Sequence, residues 1–220
     1  MTFSILAQDP CSGELGGAAA TGALCVGGWV LRGDSRAGLS ASQGAAPSTL
    51  WGEDVLELMR AGLAAPAAVA QVTGADSGQV WRQLAALDRA GRAAGFTGVQ
   101  NTAWKGALIA DRLVVSGNLL AGPEVLEALR AGYLGATGSM ASRLLDALAA
   151  AEAAGGDTRG LQSAALLVVS DDAPPLSLRV DWADDPIASL RALHARSQSG
   201  AYAAWLPRVP TRNDPERGAE

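Results

Sequence analysis

The second residue of the chain is the one whose position alone could make it catalytic. Thr2 follows the initiator Met1, and aminopeptidases remove an initiator methionine when the next residue is as small as threonine. A terminal threonine carries its hydroxyl beside a free α-amine of pKa about 8, lower where the amine is partly buried. The amine can then act as the base for its own nucleophile. The structural alternative is a chain that begins Met-Thr for no catalytic reason.

Other residue types permit less chemistry. His194 is the single histidine, so a multi-histidine metal site is excluded and a serine–histidine–aspartate triad would have to use it. It follows Leu193 at the edge of an apolar helical face, which is typical of a packed or solvated histidine. The acidic pairs at 171–172 and 184–185 could hold a hard cation, but the adjacent prolines favour turns and a helix cap. No phosphate loop or dinucleotide fingerprint occurs, so we predict no metal and no cofactor.

Charge and hydropathy exclude several classes of protein. The 220 residues carry 17 Lys and Arg against 22 Asp and Glu, a net charge of -5 that disfavours nucleic acid. With 49% hydrophobic residues, global disorder is excluded. The N-terminus lacks a signal-peptide leader, and the longest uncharged run, 15–31, is too short and glycine-broken for a membrane helix. We expect a cytoplasmic chain in which Cys11 and Cys25 are reduced core residues, with a disulfide as the alternative.

The elements that must position Thr2 begin with strands. Residues 2–8 alternate between a more polar and a more apolar face, and apolar or small-residue runs at 16–20, 24–31 and 37–42 predict further antiparallel strands. Helices are predicted around 53–62 and 66–74. Residues 80–87 fit a helix by propensity, but a turn at 88–92 suits a hairpin.

The second half has a clearer pattern. It predicts strands at 113–115, 164–169 and 176–182, two helices beginning near Pro123 and Met140, and a last helix at Pro186 capped by Asp185. This order suits helices packed outside a sandwich of two sheets, an α+β fold. From residue 207 the proline-rich, charged tail is predicted to be disordered.

Four segments together resemble the bacterial family known as domain of unknown function 1028, and the likeness extends from residue 1 to about 200. They are 1–5 (MTFSI) with 13–16 (GELG), 116–125 (SGNLLAGPEV), 154–166 (AGGDTRGLQSAAL), and 178–181 (LRVD) before Pro186. The resemblance implies the N-terminal nucleophile (Ntn) hydrolase fold, a four-layer αββα sandwich like that of proteasome subunits, over residues 1–206. It also favours the hairpin at 80–97.

The resemblance also implies roles for residues around Thr2. By position in the fold, Asp157 would support the terminal amine, and Arg36 would supply the positive charge that lowers the pKa of the nucleophile. The backbone at Gln43 and Gly44 would form an oxyanion hole, with Asn118 near the same pocket. Each position has a structural alternative: a cap, a surface charge, a turn or a loop hydrogen bond.

The chain departs from the family pattern at several positions. Phe96 stands where a histidine precedes Thr-Gly, Ser116 replaces a glutamine, and Asn101 and residues 104–107 (WKGA) replace a cysteine and a Trp-Ala-Gly-His stretch. Two functions therefore remain open. One is a Thr2 hydrolase acting on an amide of an unknown small molecule or peptide. The other is a non-catalytic ligand-binding or assembly protein, whose six tryptophans could form contacts between copies of the chain.

Overall fold

The strand that begins at Thr2 lies inside the larger of two antiparallel sheets. The computed structural model describes residues 2–218. In that part of the chain, the first sheet has the order β10-β9-β2-β1-β8-β7. Its strands are β1 (Thr2–Gln8), β2 (Leu15–Thr21), β7 (Gly106–Ala110), β8 (Leu113–Asn118), β9 (Ser163–Val169) and β10 (Leu176–Val180).

The second sheet has four strands in the order β3-β4-β5-β6. They are β3 (Leu31–Asp34), β4 (Gly38–Gly44), β5 (Arg82–Asp88) and β6 (Ala93–Thr97). The pair β5 and β6 is the hairpin predicted at 80–97, with the turn at 88–92.

Seven helices accompany the sheets in the described residues. They are α1 (Val26–Trp29), α2 (Thr49–Arg60), α3 (Ala65–Gly74), α4 (Glu124–Gly135), α5 (Met140–Ala153), α6 (Pro186–Ser197) and α7 (Gly200–Trp205). Helices α4, α5 and α6 share one core with the outer face of the first sheet, and α2 and α3 share another with the outer face of the second. The α+β class is confirmed, and the Ntn-hydrolase assignment stays a prediction.

A third core lies between the inner faces of the two sheets, where Leu6 packs with Leu39, Leu87 and Val114. All of β1 is buried, so the alternation along it does not separate solvent from core. Phe3, Ile5 and Ala7 belong to the helix-covered core. Because side chains alternate along a strand, the more polar face that begins with Thr2 turns toward the second sheet instead of water.

The apolar run at 24–31, predicted to be a strand, forms the short helix α1 and the start of β3. Cys25 has a positive φ of 62°, which ends the extended backbone. A Cβ atom at Gly27 would come within 2.7 Å of Ala165 Cβ, so the missing side chain lets this turn lie close against β9. A short apolar run alone does not distinguish a strand from a buried helical turn. The edge strand β7 was not predicted.

Residues 207–218, predicted to be disordered, instead fold back on the domain. Arg212 Nε donates to Ser35 Oγ at 3.0 Å, and the backbone N–H of Asn213 donates to the carbonyl of Asp171 at 3.2 Å. The side chain of Thr211 is only 8% exposed. The proline-rich composition therefore marks an irregular segment here, and the rest of the predicted tail, residues 219–220, lies outside the described part. No helix within 2–218 is long and apolar enough to cross a membrane.

Candidate functional site

Thr2 lies at the end of β1, between two neighbouring strands that fix it on both sides. Its register partners are Thr21 on β2 and Asn118 on β8. The Thr2 residue is 5% exposed, and its Oγ1 donates a hydrogen bond to Thr21 Oγ1 at 3.2 Å. The hydroxyl is therefore held in a defined place at the edge of the layer between the sheets.

The layer between the sheets is polar at the Thr2 end. Ser4 Oγ and Ser116 Oγ lie 3.0 Å apart on neighbouring strands, and both residues are buried. Gln43 and Gln83 approach from the second sheet, and their exposure is 1% and 0%. Buried polar side chains cost free energy unless they are hydrogen-bonded to each other, so this end of the layer requires a complete network.

Gln83 is the centre of that network. Its Nε2 lies 2.9 Å from Thr97 Oγ1, 3.0 Å from the Gly106 carbonyl oxygen and 2.9 Å from the Gly117 carbonyl oxygen, so three acceptors share its two N–H groups. Because the two carbonyl groups can only accept, they fix which end of the Gln83 amide is the nitrogen. Its Oε1 must therefore face the opposite way, toward Thr2.

The orientation of Gln83 in turn fixes two other amides. Its Oε1 accepts from Gln43 Nε2 at 2.8 Å and from Asn118 Nδ2 at 3.0 Å. Gln43 Nε2 also lies 3.3 Å from the Thr2 carbonyl oxygen. The remaining oxygens, Gln43 Oε1 and Asn118 Oδ1, are buried and have no hydrogen-bond partner among the described residues. Two unused acceptors thus lie on the side chains that flank Thr2.

Gly44 contributes a backbone N–H beside Thr2. Its φ of 134°, and a hypothetical Cβ that would come within 2.7 Å of the Trp81 carbonyl oxygen, require glycine at this position. The N–H of Ser42 donates to the Val30 carbonyl at 3.1 Å. Alternate residues of a strand direct their N–H groups to the same side. The Gly44 N–H therefore points to that side as well, past the start of β3 at Leu31.

Asn101 holds the backbone that follows Gly44. Its Oδ1 accepts from the N–H of Ala45 at 2.8 Å, and its Nδ2 donates to the carbonyls of Arg82 and Gly98 at 2.9 and 3.0 Å. Asn101 is 3% exposed. Asn101 is therefore a positioning residue for the predicted oxyanion-hole segment. The sequence indicated it only as a departure from the family pattern.

A cavity of about 360 Å³ opens next to Thr2. Its polar residues are Thr2, Thr21, Gln43 and Gly44, which come from both sheets. Its remaining lining residues are Ala23, Leu24, Val26, Trp29, Val30, Ala45 and Pro47. The geometry thus combines a hydroxyl, a backbone N–H and a partly open cavity for a small molecule.

Asp157 supports the strand next to Thr2. Its Oδ2 accepts from the N–H of Gly22 at 2.7 Å, and its Oδ1 accepts from the N–H of Arg159 at 2.9 Å. The Arg159 guanidinium is 2.9 Å from Oδ2. Burial by itself would raise the pKa of Asp157, but these hydrogen bonds from Arg159 and Gly22 outweigh it and lower the pKa below its usual value. Since Gly22 follows Thr21, Asp157 anchors the segment that holds the Thr2 hydroxyl.

Arg36 is the one predicted site residue that the structure does not bring to Thr2. It lies in the turn between β3 and β4, with its side chain 54% exposed and its Nε 3.8 Å from Asp34 Oδ1. Gly44 lies at the other end of β4, about 20 Å away at 3.3 Å per residue. Arg36 therefore has the surface role that was its structural alternative, and Arg159 is the guanidinium found at Asp157.

The other candidate chemistry does not assemble. His194 lies on α6, outside the cavity, and its carbonyl accepts from Ser197 Oγ. Asp185 caps α6 by accepting from the N–H of Ala188 at 2.9 Å. Residues 2–218 contain no cluster of three or more potential metal ligands. Both cysteines are free, and since Cys11 is exposed and Cys25 partly exposed, neither is the core residue that the sequence predicted.

With this geometry established, comparison with known proteins identifies the family. The model of a family of unknown function, DUF1028, matches residues 2–190. The chain belongs to this family. It is similar to a DUF1028 protein from Silicibacter pomeroyi whose crystal structure is solved, with 51% identity, a TM-score of 0.94 and coverage of 98% of each chain. No curated protein matches the chain.

The positions at which this DUF1028 protein departs from the family pattern described above lie in different layers. Ser116 is in the polar layer beside Thr2, where it pairs with Ser4. Phe96 instead packs edge-on against Trp51 of α2, with ring centroids 5.9 Å apart. Lys105 Nζ donates to the carbonyls of Val99 and Asn101 and so braces the Asn101 loop. Of these departures, Ser116 and Asn101 bear directly on the site.

Proposed function

We propose that this DUF1028 protein is an N-terminal-threonine hydrolase that cleaves an amide bond of a small molecule or peptide. The observation that carries the proposal is the position of the Thr2 hydroxyl, which is held by Thr21 in the lining of the cavity. Removal of Met1, which lies outside the described residues, is the condition for activity. It would expose an α-amine on the same residue as the hydroxyl, as self-activation requires.

In the proposed reaction, Thr2 Oγ1 attacks the amide carbonyl while the α-amine takes the hydroxyl proton. The Gly44 N–H stabilises the negative charge that develops on the carbonyl oxygen. The amine then returns its proton to the leaving nitrogen as the carbon–nitrogen bond breaks, which leaves an acyl ester on Thr2. Water, deprotonated by the same amine, hydrolyses the ester and regenerates the hydroxyl.

The two unpartnered amide oxygens give the amine a place to bind. Asn118 is the cross-strand partner of Thr2, and Gln43 contacts the Thr2 carbonyl. An α-amine has up to three N–H groups, whereas Asn118 Oδ1 and Gln43 Oε1 can only accept. We assign these oxygens to orient the amine toward the hydroxyl, while Asp157 anchors the backbone that follows Thr21.

The arrangement of layers supports assignment of this chain to the Ntn-hydrolase-like superfamily. Helices cover the outer faces of both sheets, and the candidate nucleophile begins a central strand of one sheet. The candidate oxyanion segment comes from the other sheet. A site at one end of the layer between two sheets can draw residues from both of them, as this reaction needs.

Mass spectrometry and a labelling reaction test the proposal. The intact mass of protein purified from its native cells should be one methionine short, and a β-lactone, which acylates nucleophilic hydroxyls, should add one label at Thr2. The Thr2→Ser variant should keep the label and Thr2→Ala should lose it while keeping its melting temperature. The exposed Ser12 is the internal control for non-specific acylation. Retained Met1 in the purified protein would refute the proposal.

A non-catalytic ligand-binding protein is the second candidate. It is favoured by the apolar cavity walls and by four tryptophans that are at least 46% exposed: Trp29, Trp81, Trp182 and Trp205. This candidate predicts that Thr2→Ala leaves every cellular role of the protein intact. An enzyme predicts that the same variant loses turnover.

A further inference from the structure

The cavity beside Thr2 is lined by uncharged residues throughout the part of it that the structure describes. Thr2, Thr21 and Gln43 have polar side chains, Gly44 offers its backbone N–H, and the other seven lining residues are apolar. Thr2 and Gly44 therefore belong to the polar part of the lining, and the apolar part includes Leu24, Val26 and Trp29 of the α1 region. One end of a bound molecule would meet hydrogen-bonding groups, and the rest of it would meet hydrocarbon.

Two large apolar side chains of this wall are left in water. Leu24 and Trp29 are each 54% exposed. Both are fixed by α1, which lies close against β9 because Gly27 lacks a side chain. An exposed apolar surface next to a cavity gains free energy when a ligand covers it. The mouth of the cavity therefore favours an apolar group.

The two guanidinium groups that contact the α1 region already have partners. Arg32 donates to the carbonyls of Gly28 and Leu31 at 3.1 and 3.0 Å and lies 3.6 Å from Glu53. The other is that of Arg179. A Cβ at Gly28 would come within 3.0 Å of the Arg179 guanidinium. That guanidinium binds both carboxylate oxygens of Asp181, at 2.9 and 3.1 Å. A charged ligand group held against these apolar walls, away from the α-amine of Thr2, would therefore lose its hydration without gaining a new counter-ion, which is costly. A neutral, apolar group would lose little hydration free energy on entering the cavity.

We infer that the cavity binds the uncharged, apolar acyl part of a small amide, either aliphatic or aromatic, with the scissile carbonyl at Thr2 and Gly44. A volume of about 360 Å³ suits a small group and lies at the lower end of the range for ligand pockets. The identity of the cleaved bond rests on the proposed function. The binding preference does not, because it depends only on the cavity walls.

Binding to the Thr2→Ala variant tests this inference without turnover. Three matched ligands suffice: phenylacetamide, its 4-carboxy analogue and its 4-aminomethyl analogue, titrated by calorimetry. We expect phenylacetamide to bind at least tenfold more tightly than either charged analogue. Equal or tighter binding of a charged analogue, or no saturable binding of phenylacetamide, would overturn the inference. A neutral preference in a protein that cleaves no amide would instead count against the proposed function alone.

A charge placed in the wall should reverse the preference. Leu24→Asp should weaken phenylacetamide about tenfold and strengthen the aminomethyl analogue relative to it, because the new carboxylate supplies the missing counter-ion. The fold should survive, since Leu24 is 54% exposed. The matched control is Leu50→Asp, on α2, 64% exposed and outside the cavity lining. If both variants change binding equally, the cavity wall does not select the ligand.

Discussion

Replacing Asp157 by asparagine keeps the shape of the side chain and removes its charge and one acceptor. The carboxylate accepts from two backbone N–H groups, those of Gly22 and Arg159. An asparagine oxygen can satisfy one of them, and its Nδ2 then faces the other, leaving a buried donor without a partner. Such a loss costs about 1 to 3 kcal/mol, and the remaining bond is weakened because the acceptor is neutral.

The ion pair adds little to this cost, because the Arg159 side chain is 40% exposed and exposed pairs contribute less than about 1 kcal/mol. We therefore expect Asp157→Asn to lower the free energy of unfolding by about 3 kcal/mol. At about 2 to 4 °C per kcal/mol for a domain of this size, the melting temperature should fall by about 6 to 12 °C. Urea denaturation and calorimetry at pH 7 measure both quantities.

Asp181→Asn is the matched control, since Asp181 forms an ion pair with Arg179, two residues away, at the surface. It should cost less than about 1 kcal/mol. The pH dependence supplies a second check. Because the folded-state pKa of Asp157 is lowered, its stabilisation is complete above the unfolded pKa of about 3.9 and is lost as the pH falls through the folded value. The reasoning would be refuted if Asp157→Asn lowered the free energy of unfolding by less than about 1 kcal/mol, or if this loss stayed unchanged down to pH 3.

Three further predictions concern hydrogen bonds and packing in the interior. Gln83→Glu should destabilise the protein by about 3 kcal/mol or more at pH 7, because a carboxylate would face two carbonyl oxygens. This loss of stability, measured by urea denaturation, should become smaller toward pH 4 as the carboxylate is protonated. A double-mutant cycle of Ser4→Ala and Ser116→Ala should give a coupling of about 0.5 to 1.5 kcal/mol in the same assay, and additive effects would argue against their hydrogen bond. Leu129→Ala, at a fully buried position, should cost about 2 to 5 kcal/mol by calorimetry, and a smaller cost would mean that the core collapses around the change.

The elements were more predictable from the sequence than the site. Periodicity located β1 and most helices, because a strand or helix with one apolar face has a regular pattern. It could not reveal that the polar face of β1 meets a second sheet, since alternation alone does not say what lies opposite a face. The same limit explains the error at α1, where a short apolar run suited either structure.

The site residues depend on contacts between distant segments. The proximity of Asp157, Asn118 and Gln43 to Thr2 followed from the family resemblance and not from any local pattern. The structure does not place Arg36 near Thr2, because Arg36 precedes β4 whereas Gly44, which lines the cavity, is at the far end of this strand. Gln83 was missed, although a glutamine next to Leu84 in a buried strand was a usable signal. Trp29 and Thr21 had no such signal.

Different interactions hold the two sheets together at the two ends of the layer between them. At one end, Leu6, Leu39 and Leu87 hold the sheets together by apolar contact. At the other end, two buried amides, Gln83 and Gln43, bridge them through hydrogen bonds. Substitutions of the exposed cavity residues Leu24 and Trp29, which lie outside this apolar core, can therefore alter ligand choice without weakening it. The ligand preference of the cavity can change while the scaffold of the protein stays the same.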